Sequence, residues 1–183
     1  MKPIEYLYDL VGQSNFTTIG YTFQDEKLKD EFISKLPCIR YKEIDSSFSF
    51  DGSIKQKLRD IRLDSLLNDT TDIGLKFEYL VLDFEEDLPY LGKGDKHEIS
   101  RSIQLSGILE KLRGKSIECG IKVIFTTPTY SSLDVTPTQN LKGGSKSMYM
   151  ADLVFMINSG IAKIEKNRFS HGHFDETISL NGL

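Results

Sequence analysis

The sequence has few cysteines and no hydrophobic run long enough to cross a membrane. Its two cysteines, Cys38 and Cys119, lie far apart and have no cysteine or histidine neighbour at metal-binding spacing. We therefore predict reduced thiols, and neither a disulfide framework nor a zinc site. The longest apolar run is far below the ~20 residues of a transmembrane helix, and the first residues carry no apolar signal core. These absences predict a cytoplasmic protein that does not bind membranes.

Charge of neither sign dominates the composition. With 23 Lys and Arg against 27 Asp and Glu, the net charge is −4, which excludes a protein whose whole surface binds nucleic acid but allows a local basic loop. The chain is 39% hydrophobic and 27% charged, as is typical of a globular protein. Its 183 residues can bury one core but not two, so we predict a single domain over residues 1–183.

Strand patterns alternate with helical patterns along the chain, as a sheet flanked by helices requires. The predicted strands lie at 16–23, 38–44, 79–84, 122–126, 153–157 and 161–165, and the predicted helices at 24–36, 53–67 and 99–119. Asn158-Ser159-Gly160 separates the last two strands and is a hairpin turn signal, whereas residues 128–150 are predicted as a long loop. The sequence thus predicts an α/β fold with a mostly parallel central sheet, flanking helices and a C-terminal β-hairpin.

Four features in chain order carry a resemblance to a known family. A buried strand ends in Asp83, a helix and strand end at Thr126-Thr127, a Gly/Lys loop precedes Ala151-Asp152, and Lys166-Asn167-Arg168 follows the next strands. The segment NLKGGSKSMYMADLV at 140–154 resembles the loop, helix and strand start of DnaB-type and phage primase-helicase motor domains. This resemblance spans roughly residues 77–168 and implies a single RecA-like domain.

The resemblance implies roles for four charged residues. Asp83 matches the acid that holds the water shell of Mg²⁺ at a bound nucleotide, and Glu43 loosely matches the glutamate that polarises the attacking water. Lys166 and Arg168 match the family's finger motif, which reaches the γ-phosphate of a nucleotide at a neighbouring subunit. In this chain the pair would either act in trans in that way or be vestigial. Each position also has an ordinary alternative, which is a turn-capping acid for Asp83 and a solvated charge for the others.

The loop of residues 136–146 matches the segment of the family that contacts single-stranded DNA. Gly143 and Gly144 let the backbone approach phosphates closely, and basic side chains supply charge. A flexible loop without a ligand remains the alternative. The predicted DNA-binding residues are Gln139, Lys142, Gly143, Gly144 and Lys146.

The junction after the first strand departs from the family. A phosphate-binding loop requires G-x-x-x-x-G-K-[S/T], but residues 19–27 read IGYTFQDEK and contain one glycine. Asp25 and Glu26 would repel a triphosphate at the start of the next helix, and Pro128 offers no side-chain donor where the family has a polar sensor. We therefore expect no independent ATPase activity and no resident cofactor.

Three hypotheses for function follow. The first is a catalytically degenerate module, from a phage or its host, that acts in DNA replication or recombination and binds single-stranded DNA, an active helicase or recombinase, or further copies of itself. The second is an ATP-dependent helicase or recombinase component that completes a Mg-ATP site with another chain. The third is a RecA-like scaffold for protein interactions, because fold alone does not decide function.

Overall fold

The computed structural model describes eleven parts of the chain, which are residues 4–36, 79–83, 106–107, 109–110, 112–114, 116–118, 120, 122–131, 139–141, 146–170 and 176–183. The helices are α1 (Ile4–Gln13), α2 (Glu26–Ser34), α3 (the helical residues of 106–107, 109–110, 112–114 and 116–118) and α4 (Lys146–Met150). The strands are β1 (Phe16–Tyr21), β2 (Tyr79–Asp83), β3 (Lys122–Ser131), β4 (Gln139–Leu141), β5 (Leu153–Asn158), β6 (Ile161–Asn167) and β7 (Thr177–Ser179).

One sheet, with strand order β2-β3-β1-β5-β6-β7, forms the centre of the molecule. The four strands β2, β3, β1 and β5 are parallel to one another. β6 and β7 continue the sheet in antiparallel fashion, and β4 pairs antiparallel with the far end of β3. The predicted α/β class, the mostly parallel sheet and the C-terminal hairpin of β5 and β6 are therefore confirmed.

β1 is the central parallel strand of the sheet. All six of its residues are buried, and it pairs with β3 on one side and β5 on the other. β-branched and aromatic residues fit such a strand, which is covered on both faces.

α1 and α2 cover one face of the sheet. Their buried side chains, among them Leu7 and Phe32, join one hydrophobic cluster with Ile19 and Phe155 of the sheet. The ring of Tyr8 stacks on Phe32 with centroids 4.5 Å apart. Each fully buried side chain of this size contributes about 1.5–3 kcal/mol, so this layer accounts for much of the core.

α4 and α3 lie on the opposite face. Side chains alternate between the two faces of a strand, so Thr18 points away from the face that Thr17 and Ile19 occupy. Its hydroxyl donates to the carbonyl of Ser147 in α4 at 2.9 Å. Arg113 of α3 donates to the carbonyl of Met150 at the end of α4. None of the helices in the described part of the chain is long and apolar enough to span a bilayer.

Local hydrogen bonds explain where the first strand and the helix before β3 end. β1 ends at Tyr21 because residues Phe23–Asp25 form a 3-10 turn, in which Asp25 N donates to Thr22 O at 2.9 Å. The helix before β3 ends at Gly120 as predicted, where φ is +70° and Gly120 N donates to Ser116 O at 3.0 Å.

The long loop predicted over residues 128–150 is wrong in part. β3 continues to Ser131, β4 pairs with that extension, and α4 occupies residues 146–150. The β-branched Thr127 and Thr129 are buried in the extension, which suits a strand. The predicted strand at 38–44 and helix at 53–67 lie outside the described residues.

Candidate functional site

The junction between β1 and α2 is short and is closed by a carboxylate. Only Thr22 and the 3-10 turn Phe23–Asp25 separate β1 from α2. The buried Asp25 accepts hydrogen bonds from the amides of Ser159 at 2.9 Å and Gly160 at 3.1 Å, and from the hydroxyl of Thr22. The carboxylate therefore fixes the turn of the β5–β6 hairpin against the end of β1.

The two amides that bind Asp25 belong to consecutive residues with left-handed backbone. Ser159 has φ of +52° and Gly160 has φ of +75°, the conformation of a tight hairpin turn. Such a pair of amides forms a concave anion-binding surface, and here a carboxylate of the same chain fills it. Asp25, which the sequence suggested would repel a triphosphate, therefore also has a structural role.

Of the two acids predicted to act at a bound nucleotide, Asp83 and Glu43, the structure describes only Asp83. Asp83 is the last residue of β2 and lies level with Thr126 of β3. Glu43 lies outside the described residues. Within the described part of the chain, no group of three or more His, Cys, Asp or Glu side chains is placed to hold a metal ion, and the Mg²⁺ role of Asp83 stays a prediction.

Lys166 and Arg168, the predicted finger residues, lie together against the carboxyl end of α4. Lys166 Nζ donates to the carbonyls of Met148 and Tyr149, each at 2.9 Å. Arg168 Nη2 approaches the Tyr149 carbonyl at 3.5 Å, and Arg168 Nη1 lies 3.1 Å from Oδ1 of Asp152. Cations are favoured at this position because the last carbonyls of a helix carry partial negative charge.

A β-bulge contributes to this arrangement. Val154 pairs with Lys166 and Phe155 pairs with Ile164, so Glu165 is an extra residue in β6. A bulge re-aims the side chains that follow it. As a result Asn167 is buried and the cations on either side of it reach the same helix end.

Asp152 links two arginines in this cluster. Its Oδ1 lies 3.1 Å from Arg168 Nη1 and 3.2 Å from Arg113 Nη2. The carboxylate is largely buried, whereas the Arg168 side chain is 46% exposed. The cluster thus holds three cations, Arg113, Lys166 and Arg168, around one carboxylate and presents net positive charge to solvent.

The pKa of Lys166 is lowered in this environment. Burial is the largest cause, and the positive charge of Arg168 acts in the same direction. The carboxylate of Asp152 opposes the shift, while Arg113 adds to it. The single carboxylate of Asp152 thus offsets only part of the repulsion that Lys166 experiences from the two arginines.

The predicted DNA-binding residues are only partly described. Gln139 begins β4, where it pairs with Ser131 of β3, and Lys146 begins α4. Lys142, Gly143 and Gly144 lie outside the described residues. Gln139 thus belongs to a strand that pairs with β3, and Lys146 begins the helix whose carboxyl end contacts the cation cluster.

Asp83 and the cation cluster are far apart within one chain. Asp83 is on β2 and Lys166 is on β6, four strand spacings away in the order β2-β3-β1-β5-β6. At about 4.8 Å per spacing, this separation is about 19 Å. The two predicted groups therefore cannot contact one phosphate group in the same chain.

Sequence reasoning missed the roles of Arg113, Tyr149 and Asp152. Arg113 and Asp152 are 39 residues apart, and no spacing rule connects them. Asp152 was part of the 140–154 segment that carries the family resemblance, but only the packing of α3 beside α4 shows which cations it binds.

Comparisons with known proteins identify the fold. No protein-family model matches the chain, and no curated protein matches it. Among solved structures, a KaiC-like protein from the hyperthermophilic archaeon Pyrococcus horikoshii is similar to this chain, with a TM-score of 0.51 and 15% identity over 89% of this chain and 83% of that chain. The fold is RecA-like. At this identity the RecA-like similarity establishes architecture alone.

Proposed function

We propose that this chain is a catalytically degenerate RecA-like module that acts in DNA replication or recombination by contacting other macromolecules. In this proposal it resembles the motor domains of DnaB-type and phage primase-helicases. Lys166 and Arg168 approach an anionic group held by a neighbouring subunit, and the segment from Gln139 to Lys146 contacts single-stranded DNA.

The separation of Asp83 from the cation cluster carries this proposal. Four strand spacings lie between β2 and β6, so Lys166 and Arg168 have no reach to a ligand at Asp83 of the same chain. Arg168 is nevertheless partly exposed and held by Asp152. A pre-positioned guanidinium at the surface suits the recognition of a phosphate or carboxylate on another molecule.

The β1–α2 junction supports a role without independent hydrolysis. A phosphate-binding loop needs several successive amides that turn around the phosphates. Here a single 3-10 turn follows Thr22, and Asp25 fills the neighbouring pair of amides at Ser159 and Gly160.

The placement of the Gly/Lys segment supports contact with single-stranded DNA. Gln139 in β4 and Lys146 in α4 bracket it, and α4 carries the exposed Tyr149. A basic segment next to an exposed aromatic ring is typical of surfaces that bind single strands by phosphate contacts and base stacking.

Parallel binding measurements test the proposal. Labelled single-stranded DNA and a fluorescent ATP analogue with Mg²⁺ are titrated with the protein at several salt concentrations. We expect DNA binding without nucleotide binding. The double variant Lys142→Ala/Lys146→Ala should bind DNA more weakly and reduce the slope of log K against log salt by about 1.4, since each phosphate contact to a single strand contributes about 0.7.

A matched control uses Lys163→Ala, because Lys163 is an exposed lysine of β6 that pairs with Glu165 at 3.4 Å. Its slope should equal that of the wild type. An unchanged slope in the double variant would remove the segment from the DNA interface. Nucleotide binding would instead support a component that completes a Mg-ATP site with another chain, and absence of both ligands would favour a protein-interaction scaffold.

A further inference from the structure

The turn that follows β7 carries an Asn-Gly pair. Asn181 is the one asparagine in the sequence that glycine follows. Leu183 N donates to Leu180 O at 3.3 Å, so Asn181 and Gly182 are the two central residues of a β-turn. Both are exposed, and Gly182 has φ of +123°, a backbone conformation that favours glycine.

The amide nitrogen of Gly182 is available for reaction. Its neighbours in the turn are bonded, since Leu180 N donates to Gly160 O at 2.8 Å and Asn181 N donates to Ser179 Oγ at 3.2 Å. Within the described part of the chain, Gly182 N donates no hydrogen bond. Glycine also has no side chain to hinder the approach of its nitrogen to the side-chain carbonyl carbon of Asn181. Proximity of this kind favours intramolecular attack.

Asn158, which precedes the small residue Ser159, lies in a protected setting instead. Ser159 N would be the attacking atom there, but it donates to the Asp25 carboxylate at 2.9 Å. The side-chain oxygen of Asn158 accepts a hydrogen bond from Ser159 Oγ at 3.0 Å. These two bonds hold both reacting groups in place, so the structure favours reaction at Asn181 over reaction at Asn158.

We infer that Asn181 is a site of spontaneous deamidation and that the reaction loosens the turn of the β5–β6 hairpin. The Gly182 nitrogen forms a bond to Cγ of Asn181, and Nδ2 leaves as ammonia with the proton that the Gly182 nitrogen loses. Water then opens the resulting succinimide ring at Cγ, which gives aspartate, or at the main-chain carbonyl, which gives isoaspartate. The reaction needs only water and is independent of DNA or nucleotide binding.

The side chain that changes contacts Gly160 in the hairpin turn. A Cβ added at Gly160 would lie 2.8 Å from Oδ1 of Asn181, so the Asn181 amide packs closely against the glycine backbone. Gly160 N donates to the Asp25 carboxylate at 3.1 Å. Conversion to aspartate therefore places a second carboxylate beside the residue that Asp25 already binds, and like charges disfavour each other at short range.

The isoaspartate product disturbs the same region through the main chain. The backbone then runs through Cβ and Cγ of the modified residue and is longer by one methylene group. The turn that joins Leu180 to Leu183 must adjust to this length. Leu180 belongs to the hydrophobic core and Leu183 packs against it, so this product also weakens the attachment of the turn.

Intact mass followed over time tests the reaction. The purified chain is incubated at physiological temperature and mildly alkaline pH, where the Gly182 nitrogen loses its proton more readily. We expect a gain of about 1 Da as the amide becomes a carboxylate, release of an equal amount of ammonia, and peptide mapping that places the change at residues 181–182. Asn181→Gln should lose this signal, because its longer side chain closes a less favourable ring. Asn158→Gln, the matched control, should react at the wild-type rate.

The structural consequence is measured on Asn181→Asp, which adds the new charge without the reaction. Its Tm should be lower than that of the wild type by about 2–4 °C at low salt, and the difference should shrink as salt screens the two carboxylates. Asn181→Ser removes the same amide contact without adding charge, and its Tm should fall less.

Each part of the inference has a result that would overturn it. The first is a folded wild-type chain whose residues 181–182 gain no mass, with the chain unfolded in urea as the positive control. The second is an equal Tm for Asn181→Asp and Asn181→Ser at low salt. Neither result bears on the proposed function, because DNA and nucleotide binding are measured separately.

Discussion

Removal of the Asp25 carboxylate is the sharpest test of how this fold closes the junction after β1. In Asp25→Ala the amides of Ser159 and Gly160 lose their acceptor, and so does the hydroxyl of Thr22. The hydroxyl can rotate toward water, but the two amides are directed at the vacated position by the left-handed turn. The variant should therefore weaken the attachment of the β5–β6 hairpin to the end of β1.

The expected loss of stability follows from these two amides. A hydrogen bond to a charged group contributes about 1.5–3 kcal/mol. Taking the lower value for each amide, because water can reach the turn in the variant, gives about 3 kcal/mol for Asp25→Ala. Tm should fall by about 6–12 °C for a chain of this size. Asp25→Asn keeps one acceptor oxygen and should lose about half as much.

Urea denaturation followed by far-UV circular dichroism measures this change, since the sequence has no tryptophan to report unfolding. Glu26→Ala is the matched control, because Glu26 is the exposed neighbouring acid and should change the free energy of unfolding by about 0.5 kcal/mol or less. Hydrogen exchange of the Ser159 and Gly160 amides should accelerate in Asp25→Ala alone. Equal stability of the Asp25→Ala and Glu26→Ala variants would refute the reasoning.

Two further predictions concern the side chains of Tyr8 and Arg168. Burial, aided by the charge of Glu31, raises the pKa of Tyr8 to about 12, so the folded state keeps a proton that the unfolded state releases above pH 10. Stability should fall as pH rises from 10 to 12, and by less in Tyr8→Phe; identical alkaline denaturation curves would contradict this. Arg168→Ala should lower the ATP turnover of a helicase or recombinase partner while the variant stays folded, and unchanged turnover in a coupled ATPase assay would count against action in trans.

Local patterns in the sequence were sufficient for most of the described elements. The apolar runs at β2, β3 and β5 predicted buried strands because continuous apolar residues suit a parallel sheet covered on both faces. The β-branched and aromatic residues of β1 predicted the first strand. Ser159 and Gly160 indicated the hairpin because only a few residue types accept left-handed backbone. These signals depend on neighbours in sequence, so no tertiary information was needed.

Besides β4, which lies in the predicted loop, two described elements escaped prediction although their residues fit them. α1 buries Leu7, Leu10 and Val11 at helical spacing, but it is short and its stability depends on packing against α2. β7 has three residues and alternates exposed, buried and half-buried positions. A strand that short gives no periodic signal and forms because β6 offers it an edge.

The candidate site was likewise predicted only in part from the sequence. Sequence alone placed Asp83 at a strand end and Lys166 beside Arg168, because strand ends and spacings of two residues are local properties. Only the tertiary structure decided that Asp83 lies four strands from Lys166, since strand order depends on how the chain crosses over.

The interaction partners of the charged residues could not be predicted from the sequence either. Asp25 binds amides more than 130 residues further along the chain, and Arg113 meets Asp152 across 39 residues. Sequence determined that these charges exist and that the chain carries more acids than bases. Which charges neutralise one another was decided by the tertiary structure, because Coulomb energy depends on distance in space and not on separation along the chain.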